Sequence, residues 1–161
     1  YFRDDMHLNE KYIGLIMAIN GIIIVAIEMV LVYTLEKKNK NTQWIIIGLV
    51  MCACSYLSLL IPGNAKFISL MMILFITVGE IMAMPFMNVF WLQRAIDKNR
   101  GQYAALYTIS WGIGNTLGPF LISTLVDASS FKVAFIVLGF ILFISAFGFY
   151  KLHSNSNKET L

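Results

Sequence analysis

Five apolar runs, each long enough to cross a bilayer as a helix, follow one another along this chain with only short polar connectors between them. They lie near residues 13–35, 43–62, 67–92, 104–126 and 131–151, and a spanning helix needs about 20 residues. Inside hydrocarbon every backbone N–H and C=O must be paired within the protein, which leaves helices and closed barrels as the available structures. The runs lack period-two alternation and are about twice the length of a barrel strand, so the fold expected is an all-α integral membrane bundle. Composition agrees: 58% of residues are hydrophobic and 13% are charged, against roughly 45–50% and about 25% in soluble domains. The net charge of +3 is small and carries no basic cluster with interleaved aromatics, which excludes a nucleic-acid surface.

Lys and Arg placement sets the orientation. The connectors 36–42 and 93–102 and the tail hold Lys37, Lys38, Lys40, Arg94, Lys98, Arg100, Lys151 and Lys158, whereas the other side holds only Arg3, Lys11, Lys66 and Lys132. The richer side faces the cytoplasm. Residues 1–12 then form an extracytoplasmic loop, residues 13–151 the membrane domain, and residues 152–161 a cytoplasmic tail. The chain opens at Tyr1, without a Met and in a polar loop, which suggests a fragment of a longer protein.

Two carboxylates sit within apolar runs. Glu80 is near the middle of the third, where a charged side chain costs at least about 2.5–3.5 kcal/mol. A desolvated carboxyl can be carried neutral, which makes it a candidate proton site. Thr77, Glu80, Met84, Met87, Asn88 and Trp91 fall within about 100° of arc on one helix, a polar, aromatic and sulfur-rich face suited to a cavity for an amphipathic ligand. The competing reading is a helix-packing face with Glu80 as interhelical glue. Pro85 removes a backbone donor one turn beyond Glu80 and predicts a kink.

In the first run, Glu28 shares a stripe with Gly14 and Gly21, whose small size would admit a close neighbour. Asn20, about 80° away from Glu28, can line the same cavity or hold two helices together. In the fourth run, Ser110, Gly114 and Gly118 make a small-xxx-small face for close helix packing, extended by Tyr107 and Trp111, with Asn115 and Pro119 beside it. The second run, with Gly48, Cys52 and Ser55, and the phenylalanine-rich fifth hold no ionisable group in their interiors and read as peripheral and lipid-facing. Cys52 and Cys54 point about 200° apart on a helix and can form neither a mutual disulfide nor a metal site. The pattern calls for no metal and no cofactor.

From "LNEKYIGLIMAINGIIIVAIEMVLV" through "VGEIMAMPFMNVFWLQRAIDKNRGQYAALYTISWGIGNTLGP", the chain resembles the C-terminal half of major facilitator superfamily transporters, closest to bacterial drug:proton antiporter-type members. The motifs that carry the resemblance are Gly79-Glu80 with Pro85, Arg100-Gly101, and Gly114-x-x-x-Gly118-Pro119. Ile122 and Ser123 stand where the antiporter signature would have glycines, and "TLEKKNKN" departs from the family's cytoplasmic loop motif. The resemblance implies helices eight to twelve of a twelve-helix protein, five of the six helices of one half. Tyr1 and Phe2 would then end helix seven, and the missing N-terminal half would be a partner. It also implies a bacterial inner-membrane location and alternating access to a cavity between the halves.

The function expected is proton-coupled efflux of amphipathic small molecules. Glu80 would bind a proton or a cationic substrate, assisted by Glu28, with Asn20, Asn88, Met84, Met87, Trp111 and Asn115 lining the cavity. Pro85, Gly114, Gly118, Pro119, Arg100 and Gly101 would serve conformation and packing. The alternatives are a polytopic membrane enzyme or a non-transporting scaffold with the same fold. The enzyme would call for a cluster of His, Asp or Ser in a membrane-edge loop, whereas His7 and His153 fall on opposite sides of the membrane.

Overall fold

The computed structural model describes residues 1–36 and 41–159. Its elements are α1 (Glu10–Glu36), α2 (Asn41–Ser58), α3 (Ala65–Leu92), α4 (Arg100–Ala128) and α5 (Phe131–Glu159). All five contain a segment long and apolar enough to cross a membrane, and the described residues form no strand. Lys37, Lys38 and Lys40, in the middle of the degenerate loop motif, lie outside the described residues.

Local chemistry sets the helix ends. α2 stops at Ser58, before the apolar run does, because Ile61 precedes Pro62 and is pushed out of the helical region. The chain tightens there through Leu59 N–H to Tyr56 O (3.2 Å) and Leu60 N–H to Leu57 O (3.1 Å). α3 begins at an Asn64 cap, whose side-chain oxygen accepts from Lys66 N (3.0 Å) and Phe67 N (3.3 Å). The helix then runs through Pro85 as one continuous element to Leu92.

α2 packs along both α3 and α5, α1 leans on α3, and α4 makes slighter contact with α3 and α5. This corrects the expectation for the second run, whereas the fifth packs on α2 through one face and leaves most of its large apolar side chains exposed, as a peripheral helix does. α2 is central, with Ile45, Leu49, Cys52, Ala53 and Ser55 buried, and α4 has no buried residue. The reason lies in small residues. A Cβ placed on Gly48 would stand 2.6 Å from Ala83 N and 2.7 Å from Gly79 O, and one on Gly79 would stand 2.9 Å from both Cys52 N and Gly48 O. The two backbones touch, and only glycine at both positions permits it.

Two apolar clusters fill the bundle on either side of this crossing. Ile45, Leu49, Phe86 and Ala146 form one, toward the end that carries Asn41 and Leu92. Leu59, Ile68 and Phe135 form the other, where Tyr1 stacks edge-on against Phe135 at 4.8 Å and its hydroxyl donates to Leu59 O at 3.2 Å. Among the described residues no neighbour comes close to the glycines expected to seat one on α1 and α4. A Cβ on Gly14, Gly21, Gly114 or Gly118 would meet nothing within 4 Å.

Candidate functional site

Glu80 follows Gly79, the residue at the helix crossing, so the α2–α3 contact fixes its position in depth. It is half-buried, and the Asn20 amide of α1 lies beside its carboxyl. Asn20 Oδ1 also lies in hydrogen-bond contact with the buried Thr77 hydroxyl, one turn earlier on α3. From α2, Cys52 and Tyr56 lie within electrostatic reach of Glu80. Side chains of three helices are therefore grouped around this region: an amide from α1, a thiol and a phenol from α2 within electrostatic reach, and the acid and a hydroxyl from α3. Below this node Ile23, Ile27 and Leu31 face Leu74, Val78 and Ile81 across an apolar recess of about 150 Å³.

The second feature is a cleft of about 290 Å³ between α3 and α4, lined by Met87, Tyr107, Ser110, Trp111, Gly114 and Asn115. Its wall is aromatic and sulfur-bearing and carries no charged side chain. Trp91 stacks on Tyr107 with ring centroids 5.8 Å apart, and its indole N–H donates to Asn88 Oδ1 at 3.2 Å. Offset stacking of this kind holds both rings in place beside the opening. Met87 lies seven residues beyond Glu80, about 10 Å along the helix axis.

The face read on α3 is thus divided between two neighbours. Thr77 and Glu80 turn toward α1 and α2, whereas Met87 and Trp91 border the α4 cleft. The split follows from geometry, since an arc of about 100° is wide enough to border two helices at once. Met84, between the two groups, is exposed. Two asparagines expected to offer amides to a ligand make hydrogen bonds within their own helices: Asn88 with Trp91, and Asn115 Nδ2 with Trp111 O at 3.0 Å. Asn115 still lines the cleft, and Asn88 is exposed.

Glu28 does not join Glu80. It is half-exposed and makes no hydrogen bond or ion pair among the described residues, two turns along α1 from Asn20. Arg100 and Gly101 open α4, with no neighbour within 4 Å of a Cβ at Gly101. Pro119 is exposed on α4. The residues that sequence reasoning passed over are Cys52, read as packing alone, and Tyr56. Their spacing of four on α2 was the available signal, because it puts a thiol and a phenol on one helix face. Among the described residues no three His, Cys, Asp or Glu side chains come together as a metal site.

The end of the bundle carrying the α3–α4 connector is held by polar and cation–π contacts. Arg94 lies 3.6 Å over the Phe90 ring, Asn41 Nδ2 donates to Gln93 Oε1 at 3.2 Å, and Gln43 meets His153 at 3.2 Å. These contacts tie α2, α3 and α5 together at one end, while α1 and α4 stand free of them.

Among curated proteins and solved structures nothing matches the chain. The model of the Major Facilitator Superfamily matches residues 1–160, nearly its whole length, and five helices long and apolar enough to cross a membrane accord with that match. The chain belongs to the Major Facilitator Superfamily, whose members are membrane transporters and not enzymes.

Proposed function

We propose that this chain is the greater part of the C-terminal half of a proton-coupled efflux transporter for amphipathic small molecules. In this reading α1 to α5 are helices eight to twelve of twelve, and an N-terminal half completes the cavity. The location is a bacterial inner membrane, with the α1 start outside and the α5 end in the cytoplasm, in keeping with the Lys and Arg distribution. The observation that carries the proposal is an acid within an apolar helix, set beside the Asn20–Thr77 contact, with an uncharged aromatic cleft two turns away on the same helix.

The cleft supplies Trp111 and Tyr107 faces and the adaptable Met87 thioether for a flat or irregular apolar body. Glu80 binds the proton, so substrate and proton occupy neighbouring places and each biases the conformation available to the other. α1 and α4, with little buried surface, are the helices offered to the opposite half.

The test is efflux of a hydrophobic amine dye from membrane vesicles by the complete transporter, with and without an imposed pH gradient. Glu80→Gln is expected to abolish acceleration by the gradient while dye binding to the cleft persists. Gradient-driven efflux at the wild-type rate in Glu80→Gln would reduce Glu80 to interhelical glue.

A further inference from the structure

Thr77 Oγ1 stands within reach of two acceptors at once, Asn20 Oδ1 on α1 and the Ile73 carbonyl of its own helix at 2.6 Å. A hydroxyl has one proton and donates to one of them at a time. Asn20 also lies beside the Glu80 carboxyl, and its amide has a donor end and an acceptor end to turn toward it. The row Glu80, Asn20, Thr77, Ile73 therefore has two continuous arrangements. With Glu80 ionised, the carboxylate accepts from Asn20 Nδ2 and Asn20 Oδ1 accepts from the Thr77 hydroxyl. With Glu80 protonated, its O–H donates to Asn20 Oδ1, the turned amide donates through Nδ2 to Thr77 Oγ1, and Thr77 donates to the Ile73 carbonyl, which has a second lone pair free.

We propose that Asn20 and Thr77 are positioning residues for proton loading, a reversible hydrogen-bond chain that gives Glu80, Asn20 and Thr77 a partner in both states of Glu80. The proposal rests on the reading of Glu80 as the proton site. One proton arrives from bulk water and remains on a Glu80 oxygen. The amide turns over, the hydroxyl rotates, and no other covalent bond changes. Without such a chain, one of the two states would leave a desolvated polar group unpaired, which opposes either loading or release. The bond from Asn20 to Thr77 persists in both arrangements, so α1 stays attached to α3 while the polarity of the contact reverses.

The titratable groups around Glu80 are few. α2 presents Cys52 and Tyr56, α1 carries Glu28 two turns beyond Asn20, and α4 presents Tyr107 in the cleft. α5 has no ionisable residue between Lys132 and Tyr150. A single titration in the membrane interior is therefore assignable to Glu80 by substitution.

Infrared difference spectroscopy of the complete transporter in lipid vesicles, acid minus neutral, tests the chain directly. In wild type a protonated carboxyl band grows on acidification. A side-chain amide band, identified with carbon-13 asparagine and by its loss in Asn20→Leu, shifts with the same midpoint. Both are absent in Glu80→Gln. With carbon-13 isoleucine, a carbonyl band moves to lower frequency on acidification; the shift is lost in Thr77→Val and kept in Thr77→Ser. A carboxyl band that titrates while the asparagine band stays silent overturns the chain and leaves the proton site standing, as does an isoleucine shift that survives Thr77→Val. Absence of any carboxyl titration removes both.

Discussion

Gly48→Ala measures how much of the bundle depends on the contact between the α2 and α3 backbones. The added Cβ would stand 2.6 Å from Ala83 N, 2.7 Å from Gly79 O and 2.8 Å from Ala83 Cβ, where ordinary contact begins near 3.4 Å. The nearest two atoms are backbone, so no side chain can swing aside, and the helices must part by about 0.8 Å at the crossing. Overpacking of this kind costs about 1–3 kcal/mol. A gap of that size also forfeits about a quarter to a half of the dispersion in the contacts it opens. Alanine returns up to about 1 kcal/mol through helix propensity. The net expectation is a loss of about 1–2 kcal/mol, roughly a 5- to 30-fold fall in the folded-to-unfolded ratio.

Denaturant titration in bicelles, followed by helix circular dichroism, reads that loss. Gly114→Ala is the control, because nothing lies within 4 Å of its Cβ and only the propensity gain remains. Gly48→Ala as stable as Gly114→Ala would refute the claim that the α2–α3 crossing holds the bundle together.

Two further outcomes are expected. Asn64→Ala removes the side-chain oxygen that accepts from Lys66 N and Phe67 N, and should cost about 1 kcal/mol in the same titration; Asn64→Ser should recover most of it. Trp111→Ala strips an exposed aromatic wall from the α3–α4 cleft. If the cleft holds substrate, the variant should raise the KM of an aromatic efflux substrate several-fold and leave the pH dependence of transport intact. An unchanged KM across several aromatic substrates would place binding elsewhere.

The sequence by itself determined that this is a five-span helical membrane chain, because length and apolarity are set residue by residue and the bilayer admits few alternatives. It also singled out Glu80, since a carboxylate among Ile, Met and Phe is costly wherever the helix points. What it left open was which helix lies inside. Lipid tails are as apolar as leucine, so hydropathy cannot tell a face against lipid from a face against another helix. α1 is the most apolar of the five, yet Ile16 is its one buried residue among those described; α2 and α4 are the least apolar, and one is central while the other has no buried residue.

Only the tertiary structure decided that Gly48 and Gly79 meet while Gly114 and Gly118 do not, because a small-residue stripe becomes a contact only when a partner arrives. The same holds for the site. Glu80 was legible, but its neighbours Asn20, Cys52 and Tyr56 come from two other helices, and the rotation of each about its axis is a property of the packed bundle. That rotation separates Glu28 from Glu80, turns Thr77 toward α1, and leaves Met87 and Trp91 at the α4 cleft.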